Sequence, residues 1–213
     1  MIAAVEGVRL LLFTQEDEPL SHRLLRDASV YGVLFRIDQD LAKEARSHGC
    51  RCGGRLHSAR YRRQPRCGLD LKRIDPDYEK RFSFCCDRDD CRKRTTPPSV
   101  RFLGRRVYIG MAVLLIASLA EGATATRLRR LRRLVGNVSV RTVERWLRWW
   151  RETFPISQVW KEVKARFVPA IETSQLPASL LDRFAMQGDA GGVVAVLELL
   201  APLTTTSYPR GSR

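Results

Sequence analysis

All six cysteines of this 213-residue chain fall between positions 50 and 91, and this constrains the fold more than any other feature. They are Cys50, Cys52, Cys67, Cys85, Cys86 and Cys91. Cys50-x-Cys52-Gly53-Gly54 makes one tight pair, and Cys86 with Cys91 makes a second. Thiolates from two turns, brought together by a short hairpin, build a tetrahedral sulfur site suited to zinc. Residues 48–101 hold few large apolar side chains, so metal binding has to supply much of their folding energy. The expected ligands of Zn2+ are Cys50, Cys52, Cys86 and Cys91. The spacing departs from the usual knuckle, which has two residues between its cysteines. This leaves Cys85 as a rival to Cys86 and His48 as a substitute, with Cys67 a bystander.

Other uses of the cysteines fit less well. Disulfides call for an oxidising compartment, and the apolar start Met1–Phe13 lacks the basic region of a secretory signal. Idle free thiols or a decayed metal site remain alternatives. A catalytic zinc keeps one position open and a base nearby, and His22, His48 and His57 form no helical pair.

Charge points to the partner. The formal net charge is +15, and it is unevenly placed. Counted along the chain, residues 1–50 carry −2, residues 51–151 carry +17, and residues 152–213 are neutral. Such a field attracts a polyanion and speeds encounter with it. Arginine supplies most of the excess, and its planar fork suits phosphate and base edges. The longest apolar run, Val107 to Ala120, is too short to span a bilayer and reads as a buried helix.

Periodicity organises the rest. Val33, Ile37, Leu41 and Ala45 recur every four residues and predict a helix over 29–47, with Asp38, Asp40, Lys43 and Glu44 turned away. Phe82-x-Phe84 alternates as a strand would. Further helices are expected over 107–120, 124–135, 140–154, 156–167, 177–187 and 192–200, with a disordered tail from Pro202. Ser139 is a good N-cap for the helix over 140–154, in which Val140, Val143, Leu147 and Trp150 should pack inward. Trp146, Trp149 and Trp150 read as core residues. Arg141, Arg145 and Arg148 share the other face, with Thr142 near its start. That face suits a major groove, with Arg129, Arg130, Arg132 and Arg133 of the preceding helix meeting phosphates.

In combination these segments resemble a known type. Ser139-Val-Arg-Thr-Val-Glu-Arg-Trp-Leu147 resembles the recognition-helix region of bacterial insertion-sequence transposases and their accessory proteins. Cys50-x-Cys52-Gly-Gly-Arg-Leu56, Phe84-Cys-Cys86 and Cys91-Arg-Lys-Arg-Thr-Thr-Pro-Pro-Ser-Val-Arg-Phe102 resemble the zinc-ribbon half of such proteins. The resemblance covers about residues 48–152. It implies zinc ligation by Cys50, Cys52, Cys86 and Cys91, with Arg141, Thr142 and Arg145 reading DNA at element ends. It also suggests a separate transposase as further partner, while the apolar 177–200 region offers a surface for self-association. The carboxylate triad that cuts DNA in transposases has no counterpart, because Glu172, Asp182, Asp189 and Glu198 lie in a helical stretch unsuited to two metals.

The sequence therefore predicts a mainly α fold with a small zinc β-ribbon and a helix-turn-helix C-terminal to it. Its expected segments are 1–47, helical; 48–101, the ribbon; 102–154, the helix-turn-helix; 155–201, helical; and 202–213, the tail. The expected function is DNA binding without catalysis, in the cytoplasm at the nucleoid and without membrane contact. An RNA- or ribosome-associated ribbon protein and a protein-interaction module are the alternatives.

Overall fold

The computed structural model describes residues 20–62, 75–103, 108–120, 126, 129 and 138–205. Two helices open it, α1 (Leu20–Arg26) and α2 (Ala28–Ser47). Asp27 caps α2 by accepting from the Ser29 amide at 2.8 Å and the Ser29 hydroxyl at 2.6 Å. Those two hydrogen bonds hold its carboxyl below the usual carboxylate range.

Among the described residues seven short strands follow: β1 (Leu56–Ser58), β2 (Tyr61–Arg62), β3 (Lys80–Arg81), β4 (Phe84–Cys86), β5 (Arg94–Thr95), β6 (Phe102–Leu103) and β7 (Tyr108–Ile109). β1, β4 and β5 form an antiparallel three-stranded sheet in the order β1-β4-β5, and the others pair as β2-β3 and β6-β7. Phe84 enters the sheet, whereas Phe82 lies in the connection between β3 and β4, so the expected strand over both is shorter at its start.

The remaining elements are helical. α3 (Gly110–Ala120) is preceded by β7, so the described part of the apolar run, from Tyr108, is a short strand and then a helix. α4 (Val140–Arg148) continues as a wide π turn over Trp149–Thr153. α5 (Gln158–Val163), α6 (Ala178–Phe184) and α7 (Asp189–Leu200) complete the set. The helix expected over 124–135 lies almost wholly outside the described residues, with Thr126 and Arg129 helical and exposed. No helix among the described residues is long and apolar enough to cross a membrane.

The main core runs from Leu24 and Leu25 of α1 to Leu200 and Ala201. α3 is its axis: Met111 to Ala117 are all buried, and α1, α4, α6 and α7 pack against it. Each large aliphatic side chain buried here contributes about 1.5–3 kcal/mol. A second, smaller cluster sits under the sheet and joins Ala42, Leu56, Phe82 and Phe84 to Cys50 and Cys86.

Three expectations need correction. α2 is rotated from the predicted stripe: Val30, Tyr31, Leu34, Asp38 and Ala42 are buried, while Val33 is exposed. Asp38, expected to face solvent, is fully buried. The tail does not begin at Pro202, because Ala201–Thr204 make a 3-10 turn docked on Arg81 and Ser99 of the segment expected as the ribbon. There Thr204 accepts through its hydroxyl from the Ser99 amide at 2.8 Å, and its carbonyl accepts from Arg81 at 3.2 Å.

The burial of Asp38 has a physical cause. Its carboxylate accepts from the Ser99 hydroxyl at 2.6 Å, the Val100 amide at 2.7 Å and Arg101 Nε at 2.7 Å. The Arg101 guanidinium also donates to the carbonyls of Tyr78 and Lys80. Four rings surround it, with centroids 4.7 Å (Phe35), 4.8 Å (Phe102), 5.0 Å (Tyr78) and 5.2 Å (Phe82) away. A planar cation suits such stacking. Both charges are removed from water, so each depends on the other. The pair ties α2 to the chain entering β6 and, through the Tyr78 and Lys80 carbonyls, to the strand segment before it.

Candidate metal centre and basic helix

Local backbone geometry builds the first cysteine turn. α2 ends at Ser47, and Gly49 then takes a left-handed φ of +67° that reverses the chain. The Cys50 amide donates to the Gly54 carbonyl at 2.9 Å, and Gly53, with φ of +82°, donates to the Cys50 carbonyl at 2.8 Å. Gly54 is required for a different reason. A Cβ there would lie 2.5 Å from Cys86 Sγ and 2.9 Å from Asp87 Oδ1. Only glycine lets the two turns close on each other.

The second turn comes from β4 and the loop to β5. Leu56 pairs with Cys86 across the ladder, and the Asp87 amide donates to the Arg55 carbonyl at 3.0 Å, extending that register. The Cys91 amide donates back to the Arg88 carbonyl at 3.1 Å, and Arg92 takes a left-handed φ of 43° as the chain turns into β5. Arg88 locks the two turns together by donating to the Cys52 carbonyl at 3.1 Å and pairing with Asp90 at 3.0 Å.

These turns bring together Cys50, Cys52, Cys86 and Cys91. Cys50 and Cys91 sulfurs are 3.7 Å apart, Cys52 and Cys86 sulfurs are 3.5 Å apart, and all four lie within 4.8 Å of one another. Tetrahedral ligation at about 2.3 Å per bond puts sulfurs roughly 3.8 Å apart. The set could therefore hold a metal ion.

The rivals for ligation are placed elsewhere. Cys85 points to the other side of β4 and donates to the Arg92 carbonyl at 3.5 Å. His48 caps the end of α2 and is not in the group. Cys67 lies outside the described residues.

The thiols are unequal. Amide donation from Gly54 brings the Cys52 thiol down to about 7, against the opposing pull of burial. At Cys86 the Arg88 amide favours the thiolate, but burial and the neighbouring sulfurs prevail and push the thiol up to about 12. Cys91 shifts upward too, its Lys93 amide contact outweighed by Cys52, burial and Cys50. Without a cation the group thus concentrates negative charge at Cys52 and resists ionising further. A divalent cation removes that resistance.

The second feature is α4. Ser139 caps it as expected, accepting from the Thr142 amide at 3.2 Å. Its inner face is Val143, Trp146 and Trp150, all buried, with Leu147 half-buried. Val140, expected inside, is 44% exposed, because the first turn projects beyond the core. Trp150 packs on Trp149 and Phe154 with centroids 4.9 and 5.0 Å apart, and Phe154 meets Trp160 at 5.2 Å. The expected core role of the tryptophans holds for Trp146 and Trp150, while Trp149 is half-buried.

The outer face carries Arg141, Arg145 and Arg148, all exposed, with Thr142 half-buried. Arg145 donates to the Thr142 hydroxyl at 3.4 Å. Arg141 and Arg148 have no carboxylate within ion-pair distance among the described residues. Of the phosphate-contact candidates on the preceding helix, Arg129 is exposed, and Arg130, Arg132 and Arg133 lie outside the described residues.

The glycines after the first cysteine pair are a signal visible in the sequence, but Arg88 and Asp87, which brace the cysteine turns, were missed, because their cross-turn contacts have no local signature.

Comparison with protein-family models, curated proteins and solved structures gave no match to this chain.

Proposed function

We propose that this chain is a zinc-stabilised DNA-binding protein without catalytic activity. In this reading Cys50, Cys52, Cys86 and Cys91 hold one Zn2+ as a closed structural site, and α4 enters a major groove. The observation that carries it is the outer face of α4: a capped helix, anchored by two tryptophans, that turns Arg141, Arg145 and Arg148 to solvent. Arg141 and Arg145 are like charges four residues apart, which is unfavourable in a free helix. A phosphate or a guanine edge relieves the repulsion. Zinc is the favoured ion because four sulfurs with no nitrogen or oxygen donor select a thiophilic, tetrahedral cation.

A role in transposition or its regulation rests on the resemblance of residues 48–152 to the DNA-binding part of insertion-sequence transposases. In this reading the protein acts at the nucleoid, with a separate transposase or a second copy as further partner.

The test is duplex binding measured by fluorescence anisotropy at low salt. The wild type binds, and Arg141→Gln or Arg145→Gln weakens binding by about 1–3 kcal/mol at the preferred site. A folded, metal-loaded wild type that ignores duplex DNA at low salt would overturn the proposal. Tighter binding to RNA in competition would overturn the choice of DNA.

A further inference from the structure

The metal-binding turns carry cations that neither the cysteine group nor the helical body uses. Residues 50–60 and 84–95 hold seven cations, Arg51, Arg55, Arg60, Arg88, Arg92, Lys93 and Arg94, against three carboxylates, Asp87, Asp89 and Asp90. The carboxylates are engaged. Asp90 pairs with Arg88 and Asp89 with Arg92, while Asp87 accepts from the Arg55 backbone amide at 2.9 Å and faces His57 at 3.7 Å. Arg60 pairs with Asp77. Arg51, Arg55 and Lys93 remain exposed, with no carboxylate in ion-pair reach among the described residues.

The backbone fixes where these three sit. Arg51 lies between the ligand candidates Cys50 and Cys52. Arg55 stands opposite Asp87 at the end of the β1-β4 ladder, and Lys93 accepts the Cys86 amide through its carbonyl at 3.0 Å. All three therefore flank the same two turns, which a metal would hold rigid. The sheet underneath is packed on one side by Leu56, Phe84 and Cys86, and all three cations are exposed.

We propose that Arg51, Arg55 and Lys93 form a second contact surface for the phosphate backbone of duplex DNA, separate from α4. This rests on the DNA-binding reading above. The occupant follows from charge: three exposed cations without a carboxylate partner on one pair of turns suit a polyanion, and among the described residues none of the exposed large apolar side chains lies on these turns to offer a protein partner. A different use of the same cations is to balance the negative charge of a metal–thiolate centre. Arg88 already occupies that position, bonded to Cys52 O and electrostatically coupled to the Cys52, Cys86 and Cys91 sulfurs.

The experiment uses the full-length, zinc-loaded chain and a 30-base-pair duplex of random sequence. Affinity is measured across a salt series for the wild type and for Arg51→Gln/Arg55→Gln/Lys93→Gln, with zinc content recorded for both. Each lost phosphate contact lowers the slope of log affinity against log salt by about 0.9. The expected result is a slope reduced by about two to three, with one zinc per chain retained. An unchanged slope with zinc retained overturns the second surface and leaves the α4 proposal standing. Loss of zinc in the triple variant assigns the cations to the metal centre and also overturns it. A wild type that does not bind the duplex at all overturns both.

Discussion

The cysteine-bearing strand segment, expected as a ribbon, and the helical body differ in what they bury. Around α3 the body buries a continuous set of aliphatic and aromatic side chains, from Leu24 to Ala201. Beneath the sheet the ribbon has Ala42, Leu56, Phe82 and Phe84, and then sulfur. Its strands are two or three residues long, too short to hold by pairing alone. One part folds because it excludes water. The other lacks that means and has a four-thiol cluster in its place. Between them stands the Asp38–Arg101 pair, a charged rivet in an aromatic box.

The largest effect is expected from depriving the four cysteines of a metal ion. Chelation, or Cys86→Ser, should unfold residues 48–58 and 84–95 while the body helices persist. Structural zinc contributes on the order of 10 kcal/mol to small zinc-folded peptides, so the expected loss of ribbon order is complete. Amide exchange should show it, and equal loss of protection in α3 and the ribbon would contradict the division. The dependence on pH sharpens the point. Metal uptake must displace every thiol proton still bound, so affinity falls as pH falls. Because the Cys52 thiol titrates near about 7, the number of protons released per metal should drop by one as pH rises through that value.

Next in size is Asp38→Asn. It leaves the Arg101 cation buried without its counter-charge, which costs about 3–5 kcal/mol. Chemical denaturation should report a loss that affects ribbon and body together, because the pair joins them. A change below about 1 kcal/mol would show that the rivet carries little.

Gly54→Ala should act on the ribbon alone. The added methyl meets the Cys86 sulfur at 2.5 Å, and overpacking of this kind costs about 1–3 kcal/mol. Metal affinity should fall by about tenfold or more, with α4 and DNA contacts on it unaltered. Smallest is Ser139→Ala, which removes the N-cap of α4 for about 1 kcal/mol. Helix fraying and weaker DNA binding should follow, with metal content untouched.

The parts legible in the sequence are those specified locally. Two cysteine pairs, the first flanked by glycine, announced the sulfur cluster, and the choice of Cys86 over Cys85 follows from strand alternation once the register is known. Ser139 announced the start of α4. The rotation of α2 was not legible, because Val33 and Ile37 are as apolar as Val30 and Leu34, and packing against Tyr78 and the aromatic box decides between them. Asp38 looked like any surface carboxylate on an amphipathic helix; its partner is sixty-three positions away. The docking of Thr204 on Arg81 and Ser99 is equally long-range. Contacts of that separation leave no periodic trace.

Native mass spectrometry of the purified full-length chain tests the central claim most directly. The account predicts a folded species carrying one zinc ion, lost together with ribbon structure on chelation or on substitution of Cys50 or Cys91. A folded, metal-free chain with an intact ribbon would contradict it.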